Sequence, residues 1–98
     1  MPRILLVKTS SLGDVVHNLP VAGDLRRAFG AVEIDWVVEE SFAAIPRLHP
    51  GVRHVLPVAL RRWRRSLWQR RAREEIAAFV SVLRQREYDA VIDTQGLL

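Results

Sequence analysis

Ile4-Leu5-Leu6-Val7 places four apolar side chains in a row and runs straight into Lys8-Thr9-Ser10-Ser11-Leu12-Gly13-Asp14. Strand side chains alternate between two faces, so an unbroken apolar run predicts a strand covered on both sides, as in a parallel α/β sheet. Ligands of open sheets of this kind bind beyond the carboxyl ends of the strands, where loops such as 8–14 emerge. This loop carries hydroxyls, a glycine and a carboxylate, which makes Asp14 the first candidate for chemistry.

The rest of the chain alternates strand and helix signals. A second strand is predicted over Glu33–Val38, a third over Arg53–Val58 and a fourth over Ala90–Asp93, which leads into Thr94-Gln95-Gly96. Pro57 cannot donate to a ladder and marks the third strand as an edge. Between the first two strands a helical stretch runs from about Gly13 to Phe29, capped by Ser11 or Asp14 and ended by Gly30. Pro20 predicts a break near His17–Leu19, with the proline in the first turn of a new helix. Ser41–Leu48 reads as one short helix disturbed by Pro46, and His49-Pro50-Gly51 as a turn. The longest helical pattern runs through the basic segment to Glu87, with Ala72, Ile76, Phe79, Val80 and Leu83 on one face. Leu60, Trp63 and Leu67 form a shorter stripe upstream. The sequence thus predicts one α/β domain over residues 1–98, a parallel sheet with right-handed crossovers. A strand order of 3-2-1-4 brings the loop at Lys8–Asp14 beside Thr94-Gln95-Gly96.

Composition narrows the chemistry. Ninety-eight residues are enough for one small domain, 49% of them hydrophobic. The absence of cysteine excludes disulfides and thiolate metal sites, and the three histidines are scattered, so no metal is expected. No apolar run approaches a membrane span and the start lacks a signal-peptide pattern, so a cytosolic start is expected. The net charge of +4 is concentrated: residues 61–73 hold seven arginines and no acid, whereas residues 1–60 are neutral and residues 74–98 are acidic. Seven like charges repel one another unless a ligand compensates. The run reads as a solvated face, a site for a polyanion gripped by arginine forks, or a surface where Trp63 and Trp68 meet single-stranded nucleic acid or anionic headgroups.

Asp14 has two readings, a first-turn carboxylate that favours the helix dipole or a general base at the mouth of a site. Ser10, Ser11 and Gly13 would supply hydroxyls and close-approach backbone around it. His17, one turn on, falls on the same face and is either structural or an aid to the carboxylate. Lys8, the only lysine, is placed to hold an anion at the end of the first strand. The loop is neither a Walker A motif nor a G-x-G-x-x-G fingerprint. Glu39 and Glu40 are read as a solvated strand end in preference to a ribose-binding acid.

Lys8-Thr-Ser-Ser-Leu-Gly-Asp14, Asp35-Trp-Val-Val-Glu-Glu40, Arg61-Arg-Trp-Arg-Arg65 and Val91-Ile-Asp-Thr-Gln-Gly-Leu97, in that order and spacing, resemble the lipopolysaccharide heptosyltransferase I family of glycosyltransferase family 9. The resemblance implies the acceptor-side, Rossmann-like N-terminal half of a GT-B enzyme that is inverting and metal-independent, with no cofactor. The donor would be ADP-L-glycero-β-D-manno-heptose and the acceptor the Kdo of Kdo-lipid A, in assembly of the lipopolysaccharide inner core. Asp14 would be the general base, and Arg61, Arg62, Arg64 and Arg65 would bind the acceptor's carboxylates and phosphates. Lys8, Ser10, Ser11, Gly13, His17 and Gln95 match positions of the loops around it. The work would be done peripherally, on the cytoplasmic face of the bacterial inner membrane. The chain covers about the first third of the family's length, so a fragment without the donor-binding domain, inactive alone, is expected. A non-enzymatic anion-binding module that uses residues 61–73 on nucleic acid or anionic lipid is the rival.

Overall fold

A computed structural model describes residues 2–95. Four strands, β1 (Arg3–Val7), β2 (Glu33–Glu39), β3 (Val52–Val58) and β4 (Ala90–Asp93), form one sheet in the order β3-β2-β1-β4 with every pairing parallel. This is the expected order, and β1 and β4 are neighbours although their pairs, such as Leu6 with Ile92, lie far apart in sequence. Gly96 and the two leucines after it lie outside the described residues.

The helices α1 (Leu12–His17) and α2 (Leu19–Phe29) cover one face of the sheet. They are separated at Asn18, with Pro20 in the first turn of α2, where its missing N–H is not needed. Gly30 ends α2 with φ of 71°, a conformation open to glycine at little cost. Helices α3 (Leu60–Arg65) and α4 (Arg70–Gln85) cover the other face. Two cores result, and the β1 run feeds both: Ile4 and Leu6 join Ile34, Trp36 and Val38 against α1 and α2, while Leu5 and Val7 join Val37, Val58 and Trp63 against α3 and α4. A register shift opposite Ile34 and Asp35 lets Val52 and Val55, three apart, both pack on the first core. Pro57 sits exposed on β3, at the sheet edge as expected.

Three helical expectations need correction. Ser41–Leu48 is not one helix but two 3-10 turns, Glu40–Phe42 and Pro46–Leu48, because Pro46 has no N–H for an α-helical bond and instead starts its own turn. The long helix over the basic segment breaks at Ser66–Gln69. Its cause is phase: at 100° per residue, Trp63 and Ala72 would lie about half a turn apart on a continuous helix, yet both must face the sheet. Breaking the helix resets the stripe, and Leu67 is left exposed in the break. On α4 the buried stripe takes Ala72, Ile76, Phe79 and Leu83 as expected but extends to Val82, leaving Val80 on the exposed flank.

Candidate functional site

The site is assembled at the carboxyl ends of β1 and β2. Pairing of these strands continues past Val7: Lys8 N–H donates to Val37 O at 3.2 Å and Glu39 N–H to Thr9 O at 2.9 Å. Trp36, fully buried, donates its indole N–H to Lys8 O at 3.0 Å, so the core itself holds the start of the loop. From the other side the segment after β4 closes in. Gln95 Oε1 accepts from Thr9 N–H at 3.2 Å and Ser10 N–H at 3.3 Å, and Lys8 Nζ donates to Thr94 O at 3.3 Å. Thr94 Oγ1 donates to Asn18 Oδ1 at 3.0 Å, tying this segment to the junction of α1 and α2. Lys8 therefore spans two loops here.

Asp14 occupies the third position of α1 and completes a capping box with Ser11. Ser11 N–H and Oγ–H both donate to Asp14 Oδ2, at 3.4 and 3.3 Å, while Oδ1 has no partner among the described residues. The residue is exposed. The first-turn reading of Asp14 is met, and the cap that stabilises the helix also fixes the carboxylate. Gly13 has open space where a Cβ would stand. His17 closes α1, exposed and without a hydrogen bond to Asp14 among the described residues.

Beside Ser11 opens a cavity of about 350 Å³. It is lined by Thr9, Ser10 and Ser11 of the loop after β1, by Gln95 after β4, by Glu39, Ser41 and Phe42 at the end of β2 and beyond, and by Leu60, Arg61 and Arg64 of α3. Glu39 is not a solvated strand end: it is half-buried, and its Oε2 accepts from Leu60 N–H at 3.2 Å, capping α3 beside the two arginines. Thr9 and Trp36 escaped the sequence reading, which weighed Glu39 only as a solvated strand end or a ribose-binding acid. The signal for Glu39 was its place at the end of a strand adjacent to β1.

The arginine run divides. Arg61 and Arg64 line the cavity and have no ion pair among the described residues. Arg62 turns away and pairs with Glu75 at 2.6 Å and Glu40 at 3.4 Å. These hydrogen bonds, that to Glu75 foremost, raise its pKa further above the guanidinium range. The Glu75 carboxylate is held below its ordinary value, first by the indole N–H of Trp63 at 3.0 Å and then by Arg62. Arg70 and Arg71 pair with Glu74 and Glu75. The expected uncompensated repulsion is therefore relieved in part by Glu74 and Glu75, which directly follow the run, and by Glu40 from the turn after β2. Arg65 and Arg73 are exposed. Trp63 is buried, 6.3 Å from Phe79 between ring centroids, so of the two tryptophans in the run only Trp68 is free to stack on a ligand.

Among the described residues no group of three or more His, Asp or Glu side chains is placed to hold a metal ion, and no helix is long and apolar enough to cross a membrane. No family model matches the chain. Lipopolysaccharide heptosyltransferase 1 of Pseudomonas aeruginosa is 56% identical over 98% of this chain and 27% of that protein, and its counterpart in Escherichia coli K12 is 50% identical over 98% and 30%. The structure of E. coli heptosyltransferase WaaC with ADP-2-deoxy-2-fluoro heptose superposes with a TM-score of 0.91 at 50% identity, over 97% of this chain and 30% of that one. A glycosyl transferase family 9 protein from Veillonella parvula shares the fold with a TM-score of 0.73 at 23% identity, over 94% and 25%. The chain spans about three-tenths of the length of the curated relatives it matches at 48–56% identity. In sequence and in fold, this α/β chain matches the N-terminal portion of lipopolysaccharide heptosyltransferase 1.

Proposed function

We propose that this chain forms the acceptor-binding side of an inverting heptosyltransferase, which moves L-glycero-D-manno-heptose from ADP-heptose to the Kdo of Kdo-lipid A. The observation that carries this reading is the TM-score of 0.91 at 50% identity to an enzyme whose structure was solved with an ADP-heptose analogue. The geometry supports a division of labour. Ser11 holds one oxygen of Asp14 and leaves Oδ1 to accept the proton of a Kdo hydroxyl. That hydroxyl oxygen bonds to the heptose anomeric carbon as the bond from this carbon to the ADP oxygen breaks, and ADP leaves with the electron pair. Arg61 and Arg64 are the acceptor ligands, since they line the cavity with their forks unpaired. Arg62 braces α3 against α4. On this reading no metal takes part, residues 1–98 alone transfer no heptose, and the enzyme works at the cytoplasmic face of the inner membrane.

The nucleic-acid alternative loses one of its two stacking platforms, because Trp63 is packed in the core. Joining this chain to the portion of the P. aeruginosa relative that follows the matched segment gives a direct assay with ADP-heptose and Kdo-lipid A. Asp14→Asn lowers kcat at least about 100-fold with little change in acceptor KM. An unchanged kcat rules out Asp14 as the base. Arg61→Ala or Arg64→Ala raises the acceptor KM, whereas wild-type affinity in the double variant removes these arginines from the acceptor site.

A further inference from the structure

We infer that the break between α3 and α4 is a bilayer-seating tip, with Trp68 and Leu67 entering the headgroup region of an anionic membrane. Trp68 is 76% exposed and Leu67 53% exposed, side by side, in a chain that buries its other two tryptophans. Large apolar side chains held in water are unfavourable, and tryptophan beside arginine is the pattern of a membrane–water interface. The charge around the tip fits that partner. Arg65 precedes it and Arg73 follows in the first turn of α4, both without an ion pair among the described residues, while Arg70 and Arg71 in that turn reach one turn on to Glu74 and Glu75. Positive charges at the positive end of a helix dipole are unfavourable until an anion neutralises them. The cap residue Gln69 gives no side-chain hydrogen bond to the free N–H groups there. Lipid phosphates supply the missing negative charge over an area, which suits arginines spread across a surface better than a single small anion would.

The tip is distinct from the cavity yet coupled to it. Helix α3 lines the cavity with Leu60, Arg61 and Arg64, and Leu67 follows Arg64 by three residues, so the tip stands directly after the site's last arginine. An acceptor anchored in the same bilayer would have its sugar brought to Arg61 and Arg64 without leaving the membrane. The choice of a bilayer among polyanions rests on the proposed lipid-borne acceptor. The test therefore uses neither donor nor acceptor.

The full chain is mixed with vesicles of phosphatidylcholine alone and of phosphatidylcholine with phosphatidylglycerol, and its emission and co-sedimentation are followed. With the anionic vesicles Trp68 emission shifts to the blue and is quenched by brominated acyl chains, and partition falls as salt is raised. Trp68→Ala, on a surface turn, keeps the wild-type circular dichroism and loses partition at least roughly tenfold, the scale expected for withdrawing only about 55 Å² of the indole's apolar area from water. Equal binding to both vesicle types, binding without the shift or quenching, or undiminished partition of Trp68→Ala overturns the inference. So does tight binding of oligonucleotides with none to vesicles.

Discussion

Asp35 shows what a single residue decides here. Among the apolar side chains of the interior of β2 it is 4% exposed, and its carboxylate meets His54 at 3.0 Å, Arg86 at 3.3 Å and the Tyr88 hydroxyl at 2.6 Å. The position belongs to the Asp35–Glu40 motif, yet it lies at the opposite end of β2 from Glu39 and Glu40 and anchors the chain after α4 to the foot of the sheet. A buried carboxylate without partners is costly, so Asp35 stays only because three groups from distant segments satisfy it. Burial first, and then Asp35, push the Tyr88 phenol well above its ordinary value near 10. The unfolded chain therefore releases that proton before the folded one does. The stability tied to this phenol is complete below about pH 10 and is lost as the pH rises towards the folded pKa. Thermal melts of wild type and Tyr88→Phe should show the wild type losing more stability between about pH 9 and about pH 11. Parallel declines would mean that the phenol is not linked to folding.

At the scale of elements, α3 is a six-residue helix with two jobs. It is too short to be stable on its own, so packing must hold it. Trp63 supplies the apolar contact, and Glu75 of α4 accepts from both Trp63 and Arg62. That clamp leaves Arg61 and Arg64 at the cavity. Because the carboxylate of Glu75 is depressed in the folded state, its contribution is present above the ordinary glutamate value of 4.5 and is lost as the pH falls through the lower folded value. Glu75→Gln should thus melt below wild type at neutral pH, with the gap closing under acid conditions. A gap that is the same at both pH values would assign it to packing alone. The break at Ser66–Gln69 was legible in principle, since the stripes on either side of it are half a turn out of phase. The exposure of Trp68 and the burial of Trp63 were not, because a tryptophan in an arginine run looks the same whichever way the helix is turned.

For the molecule as a whole, the site depends on bringing together segments from its two ends. Gln95 reaches back 86 residues to Thr9 and 85 to Ser10. Gln95→Ala should speed amide exchange at Thr9 and Ser10 and slow transfer in the joined enzyme, while costing about 1 kcal/mol of stability. Unchanged exchange at both amides would show that the loop holds its shape without Gln95. The sequence by itself determined the strands, the break at Asn18 and the capped loop that carries Asp14. Apolar runs, prolines and caps act over a few residues, so local order is enough to read them. Only the tertiary structure decided which arginines face the cavity, that Glu39 caps α3, and that Asp35 ties the sheet to the segment after α4. Each of those is settled by contacts between residues far apart in the chain, where an acid's partner is chosen by packing and leaves no mark in the spacing around it.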